Sequence, residues 1–252
     1  MAAPLRVVSL VPSLTELVFW LGRGETVVGR TRFCEEPGDQ VGPVPIIGGT
    51  KNPDVDRIVS LAPDLVIANK EENRREDIEA LIARGVNVYL TDPNTVDEAA
   101  SMIEALGVLF DDVPPARMLA EEIRAELRTK PVDTIPVFVA VWRDPLLGLG
   151  GESYGNSLLE AAGGENVLKH RPRYPETTMA ELAELAPQVI LLPDEPYPFK
   201  EQHVQEFSTV APTVLVDGKL VWWYGPRVPA AIRELRRILM EGAAPRTARD
   251  TT

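Results

Sequence analysis

Asp56-Arg-Ile-Val-Ser-Leu-Ala-Pro-Asp-Leu-Val-Ile67 is echoed, at a constant offset of 124 residues, by Ala180-Glu-Leu-Ala-Glu-Leu-Ala-Pro-Gln-Val-Ile-Leu191. In both copies a helix-forming segment runs into Leu-Ala-Pro, where proline bars further helix, and an apolar strand-like run follows. A repeat at this distance is far longer than a solenoid period of roughly 20–50 residues. It describes two similar α/β lobes within one chain.

Working outward, Arg6 to Val11 reads as a short buried strand stopped by Pro12. Ser13-Leu-Thr-Glu16 matches a capping box with Ser13 as N-cap, opening a helix from Leu14 to Leu21 that stops at Gly22. A strand is expected at Thr26 to Gly29, then a polar loop, Arg30 to Asp39, carrying Phe33 and Cys34. Asp54 to Leu61 reads as helix, Asp64 to Ala68 as strand, Glu72 to Arg84 as helix and Val86 to Leu90 as strand. Such alternation means a parallel sheet. Beyond Val96 to Leu109, the segment Pro114 to Lys130 reads as one long helix, with Met118, Leu119, Ile123 and Leu127 at helical spacing. At ~1.5 Å per residue it would span roughly 25 Å, enough to brace two lobes. The pattern then restarts with strand Val137 to Val141, helix Asn156 to Ala162 and strand Val189 to Leu192. The expected fold is therefore α/β, with parallel-sheet lobes at 5–110 and 132–240, a connecting helix at 111–131 and a disordered tail at 241–252.

Composition narrows the function. The 252 residues are 44% hydrophobic and 25% charged, which is ordinary for a globular chain. Acidic side chains number 38 against 26 basic ones, for a net charge of -12. That balance excludes a phosphate-tracking nucleic-acid binder and adhesion to an anionic membrane surface. The 23 prolines are scattered, as at many short connections between strands and helices. A single cysteine, Cys34, forms no internal disulfide and no CxxC-type metal site, and it reads as structural. The opening MAAPLRVVSL leaves no room for a secretory signal, so the chain as written reads as cytoplasmic. No apolar run approaches the ~18 residues a bilayer crossing needs.

Gly151-Glu-Ser-Tyr-Gly155 is a literal GxSxG, and Asp194 and His203 follow Ser153 in the order a serine hydrolase requires. The strand that should run straight into the elbow is missing, because Asp144-Pro145 and Gly148 to Gly151 intervene. The serine hydrolase thus stands as the rival reading from a different class. Gly148-Leu-Gly150-Gly-Glu-Ser153 is half a dinucleotide fingerprint and reads as a flexible turn. His170 and His203 sit in Pro-rich or polar loops without metal-ligand spacing, and read as solvated.

The aromatics carry more. Phe33, Trp142, Tyr154, Tyr174, Tyr197, Phe199, Trp222, Trp223 and Tyr224 fall in expected loops or at strand ends. In open α/β sheets ligands bind beyond the carboxyl ends of the strands. Aromatics from both halves gathered there would form a stacking cleft between the lobes for a large, flat ligand.

Taken together, four blocks resemble one family. They are the strand with Pro-Ser-x-Thr-Glu, the Asp56 to Ala68 block, the Glu152-Ser to Asn156 to Gly-Gly-Glu-Asn-Val167 block, and Gly225-Pro-Arg227 before a final helix. The chain resembles the cobalamin-binding, helical-backbone class of substrate-binding proteins of bacterial ABC importers, relatives of siderophore and haem receptors. The resemblance covers about residues 5–240. It implies a class III periplasmic-binding-protein-like fold and a non-enzymatic monomer that holds a small molecule, without cofactor or catalytic metal. The implied ligand is cobalamin-like or another metal chelate, with a ferric siderophore or haem as the alternative. Ligand-facing positions would be Phe33, Trp142, Tyr174, Trp222, Trp223, Tyr224 and Arg227. Asn69 and Thr50 stand where the cobalamin receptor has tryptophans, leaving the first lobe's face less aromatic. The family's role is periplasmic, its partner an ABC permease that takes one carboxylate from each lobe. Here Asp56 would supply the first, and Glu181, one residue beyond the repeat position Ala180, the second.

Overall fold

The pair Val7-Val8 opens a short strand, β1 (Val7–Ser9), whose side chains are all buried. Burial on both faces marks a strand inside a parallel sheet covered by helices. In this computed structural model, which describes residues 5–129 and 131–243, β1 lies between β2 (Val27–Arg30) and β3 (Leu65–Asn69), parallel to both. With β4 (Val88–Thr91) the order is β2-β1-β3-β4. Helices α1 (Pro12–Trp20), α2 (Gly38–Val41), α3 (Val55–Ser60) and α4 (Arg75–Ala83) occupy the connections. Val8, Leu10, Ile47, Ile58, Val66 and Leu81 pack as the core of this sheet.

The chain continues through α5 (Val96–Leu109) and α6 (Val113–Arg128) to a second sheet. That sheet contains β5 (Ile135–Trp142), β6 (Leu147–Gly148), β7 (Gly164–Asn166), β8 (Val189–Pro193) and β9 (Thr213–Val216), ordered β6-β5-β8-β9, with β7 also on β5. Its pairings are parallel except for β5 with β6. Helices α7 (Tyr154–Ala161), α8 (Met179–Leu185), α9 (Glu201–Phe207), α10 (Lys219–Trp222) and α11 (Val228–Gly242) complete it. The chain divides into two units. The first holds residues up to Pro93 with Ala99–Glu121 and Tyr224–Pro226; the second holds Asn94–Glu98, Glu122–Trp223 and the chain from Arg227. Both units contribute residues to α6. Glu241 and Gly242, placed in the tail by sequence, still belong to α11, and the tail beyond 243 lies outside the described residues.

The repeat extends to the helix caps. The Asp54 carboxylate accepts the Arg57 N–H at 2.9 Å at the start of α3, and the Thr178 hydroxyl accepts the Glu181 N–H at 3.1 Å at the start of α8. Asp54 and Thr178 stand at the same offset as the rest of the repeat. Each helix gives way to a left-handed alanine, Ala62 (φ 45°) and Ala186 (φ 48°), and the proline that follows prevents another turn.

The beginning of α1 corrects one expectation. The helix starts at Pro12, with Val11 as N-cap and no capping side chain. Proline's fixed φ suits the first helical position, so the start moves ahead of Ser13. Ser13 is inside the helix, and its buried Oγ has no hydrogen-bond partner among the described residues.

Candidate ligand-binding site

Parallel strands bring their carboxyl ends to one edge of each sheet, and the residues just beyond them are the first to consider. In the second unit that edge begins at Trp142, the last residue of β5, which is 40% exposed. Its ring meets Tyr197 edge-on at 5.3 Å between centroids. Tyr197 packs on Phe199 at 4.7 Å, Phe199 on Phe207 at 6.2 Å, and Phe207 stacks on Phe138 of β5 at 6.4 Å. A ladder of rings thus runs from the fully buried Phe138 out to an exposed tryptophan. Such contacts hold a ring in place beyond what burial alone does.

His203 belongs to this ladder and is not the solvated loop residue expected from sequence. It is buried on α9, edge-on to Tyr197 at 5.7 Å and Phe199 at 5.5 Å. Its Nδ1 accepts the Lys200 N–H at 2.9 Å, so the imidazole caps the helix. His170 remains exposed on its loop.

The Trp222–Trp223 pair turns inward. Trp222 Nε1 donates to the Glu195 carbonyl at 2.7 Å and Trp223 Nε1 to the Glu195 carboxylate at 3.0 Å. Burial pushes the Glu195 carboxyl above its ordinary range, while the Trp223 hydrogen bond pulls the other way. Trp223 is buried, with Lys219 Nζ 5.0 Å and Arg227 Cζ 5.3 Å from its ring. It serves as a platform for two cations and is itself nearly enclosed. Trp222 is half-buried, Tyr224 is buried, and Tyr174 is exposed at 36%.

In the first unit Phe33 follows β2 and is 52% exposed. Asn69, expected to face ligand, is fully buried at the end of β3. Its Oδ1 accepts the Glu71 N–H at 2.8 Å and its Nδ2 donates to Thr91 Oγ1 at 3.1 Å. Asn73 was not singled out by sequence. Its Oδ1 accepts the Asn69 N–H at 2.8 Å, and its Nδ2 donates to the carbonyls of Thr50 at 3.0 Å and Leu10 at 3.3 Å. One amide therefore ties the ends of β1 and β3 to the loop at Thr50. Thr50 itself is half-buried. Cys34 is buried at 3.2 Å from Thr31 Oγ1, and burial raises its thiol above the ordinary range, in keeping with a structural cysteine.

The GxSxG serine is a helix cap. Ser153 Oγ accepts the Asn156 N–H at 3.4 Å and donates to the Gly150 carbonyl at 3.1 Å, and the side chain is buried. Both hydroxyl functions are spent on backbone, and His203 is occupied in its own cap. Ser153→Ala should therefore cost about 1 kcal/mol in chemical denaturation, as lost caps do. A fluorophosphonate should leave Ser153 unlabelled; labelling there would restore the hydrolase reading.

The two acids nominated for docking differ. Asp56, at the second position of α3, is exposed and ion-paired with Arg84. Glu181, at the third position of α8, pairs with Arg171 and accepts the Thr177 hydroxyl at 2.6 Å. Arg171 and Thr177 hold its carboxyl below the usual range.

Comparison with known proteins fits this architecture. A family profile described as periplasmic binding protein matches residues 7–213. The chain is 27% identical over 197 residues to the vitamin B12-binding protein of Photorhabdus laumondii, covering 76% of this chain and 71% of that relative. Two solved structures share the fold at low identity. One is the periplasmic vitamin B12 binding protein of Vibrio cholerae, with a TM-score of 0.79 and 20% identity over 95% of this chain and 98% of that one. The other is a periplasmic heme-binding protein from Roseiflexus sp. RS-1, with a TM-score of 0.82 and 22% identity over 96% and 100%. The chain is a small-molecule binding protein and not an enzyme; what it binds is cargo, not a cofactor. With its two parallel-sheet units, and with a match spanning most of its length, the chain belongs to the periplasmic binding protein family.

Proposed function

We propose that this protein captures a metal-chelate ligand, cobalamin-like or a related tetrapyrrole or ferric complex, for ABC-type import. The observation that carries the reading is the ring ladder ending at Trp142, an exposed indole fixed from the core at a strand's carboxyl end. A rigid, flat, apolar surface favours a planar ligand, because little side-chain freedom is lost on stacking. Phe33 and Tyr174 supply further exposed rings on their own units. The vitamin B12-binding relative supports the same class of cargo. The family's periplasmic role supports work on the outer side of the cytoplasmic membrane, and we propose that the protein acts there as a monomer. A titration of tryptophan emission with cyanocobalamin, haemin and a ferric catecholate tests the reading. At least one should quench at ~10 μM, well above a micromolar Kd. No response to any of the three would remove this ligand class.

The proposed membrane partner is an ABC permease, met through Asp56 on the first unit and Glu181 on the second. Asp56 is the more available of the two, since Glu181 is held by both Arg171 and Thr177. Against an isolated permease, Asp56→Arg should lower the association rate several-fold and flatten its salt dependence, with the dissociation rate nearly unchanged. Surface plasmon resonance at two salt concentrations reads both. An unaltered complex after reversing both charges would show that these acids serve only their own helices.

A further inference from the structure

The arginines and lysines beyond the strand ends can be sorted by what holds them. In the second unit Arg143 is paired with Glu206 and Asp144, and Arg171 with Glu181. In the first, Arg30 is buried with its guanidinium spent on the carbonyls of Val41, Thr31 and Cys34. Lys70 pairs with Asp92 at 2.6 Å. These cations are neutralised or internal.

Arg32 and Lys51 are different. Arg32 Nη2 donates to the neutral Asn52 Oδ1 at 3.4 Å, and its guanidinium lies 5.6 Å from the centroid of the Phe33 ring. The Lys51 ammonium donates to the main-chain carbonyl of Glu71. Among the described residues neither has a carboxylate partner, in a chain whose net charge is -12. A neutral acceptor positions a cation and leaves its charge for something else. Gly49 completes the arrangement. A Cβ there would fall 2.5 Å from Asn52 Oδ1, 3.2 Å from Arg32 Nη2 and 3.3 Å from Phe33 Cε2, so the bare backbone makes room for the amide that receives Arg32 and lets guanidinium and ring lie close beside it. The patch therefore pairs an exposed ring with two positioned, uncompensated cations.

We infer that Arg32 and Lys51 bind the anionic edge of the cargo while Phe33 takes its flat face, so that the ligand is an anionic chelate and not an electroneutral corrin. This rests on the ligand-capture reading above and selects within it. The shared chemistry is a planar or aromatic complex bearing carboxylates or catecholate oxygens. Phe33 would stack on the ring system, and the two cations would set the ligand's orientation and its preference by charge.

The test compares haemin, whose propionates are anionic, a ferric tris-catecholate, and electroneutral cyanocobalamin, on the intact chain and on a R32Q/K51Q double variant. Affinities are read by equilibrium titration at low and high salt, with melting curves confirming that the variant is folded. K70Q serves as the charge control. One of the two anionic probes should bind best, and which one distinguishes a tetrapyrrole from a siderophore-like source. The double variant should weaken that probe by about tenfold and flatten its salt dependence, leaving cyanocobalamin within about twofold. K70Q should change none of the three affinities. Tight cyanocobalamin binding with no anionic preference, or an anionic affinity that R32Q/K51Q leaves unchanged, overturns the inference while ligand capture stands. Failure of all three probes overturns ligand capture, and this inference with it.

Discussion

Phe207→Ala is expected to lower the unfolding free energy by about 3–5 kcal/mol, the usual cost of emptying a large aromatic site in a core. The ring is fully buried, stacks on Phe138 at an interplanar angle of 13° and meets Phe199 at 88°. It is the joint between the β5 core and the rings that lead outward. Its loss should therefore do more than open a cavity. Phe199 and Tyr197 lose the surface they rest on, and Trp142 loses its rigidity in turn. Denaturant titration checks the stability, and the emission anisotropy of Trp142 in a variant lacking the other tryptophans checks the loosening. A cost below about 1 kcal/mol would mean that the site collapses around the deletion, and that the ladder is not supported from the core.

Trp142→Ala should weaken chelate binding by roughly thirtyfold or more, the effect of truncating an aromatic anchor worth about 2 kcal/mol. Stability should change little, because the ring is 40% exposed and packs mainly on Tyr197. Trp142→Phe should recover most of the affinity, since a smaller ring still meets Tyr197 and still presents a face. Equal losses in both variants would indicate a specific role for the indole N–H and not stacking. Full affinity in Trp142→Ala would move the binding surface away from this strand end.

The fold was legible because its decisive signals are local and doubled. Leu-Ala-Pro occurs twice at one offset, and each copy carries helix, left-handed alanine, proline and buried strand in the same order. The cap residues Asp54 and Thr178 differ in type, so identity alone does not reveal that the repeat includes them. At the start of α1 the serine cap expected at Ser13 gives way to Pro12, whose fixed φ suits the first helical position.

The site was legible only in part. Trp142, Phe33 and Tyr174 are exposed beside strand ends or on loops, as their positions suggested. Trp223 and Tyr224 sit in the same kind of sequence context and are buried. The orientation of Trp223 is fixed by Glu195, a residue from another strand end that accepts its indole N–H, and no short-range pattern announces it. The same holds for Asn69 and Asn73. Asn69 is nominated only by the family position it shares and Asn73 by nothing in the sequence, yet their amides satisfy the backbone of neighbouring segments. His203 is a third case, because a helix beginning at Glu201 converts an apparent loop histidine into a capping group. For Trp223 and Asn73 long-range hydrogen bonds set the role, and for His203 a local cap does so through a helix start that composition and spacing do not encode.

Equilibrium dialysis of the purified protein against haemin, cyanocobalamin and a ferric catecholate, followed by visible absorbance and by mass spectrometry of the released ligand, tests the central claim most directly. At least one chelate should be retained at saturation in equimolar amount, with a Kd in the micromolar range or below, and be released chemically unchanged. Retention of none of the three at ~10 μM, or recovery of a cleaved or covalently attached product, would contradict it.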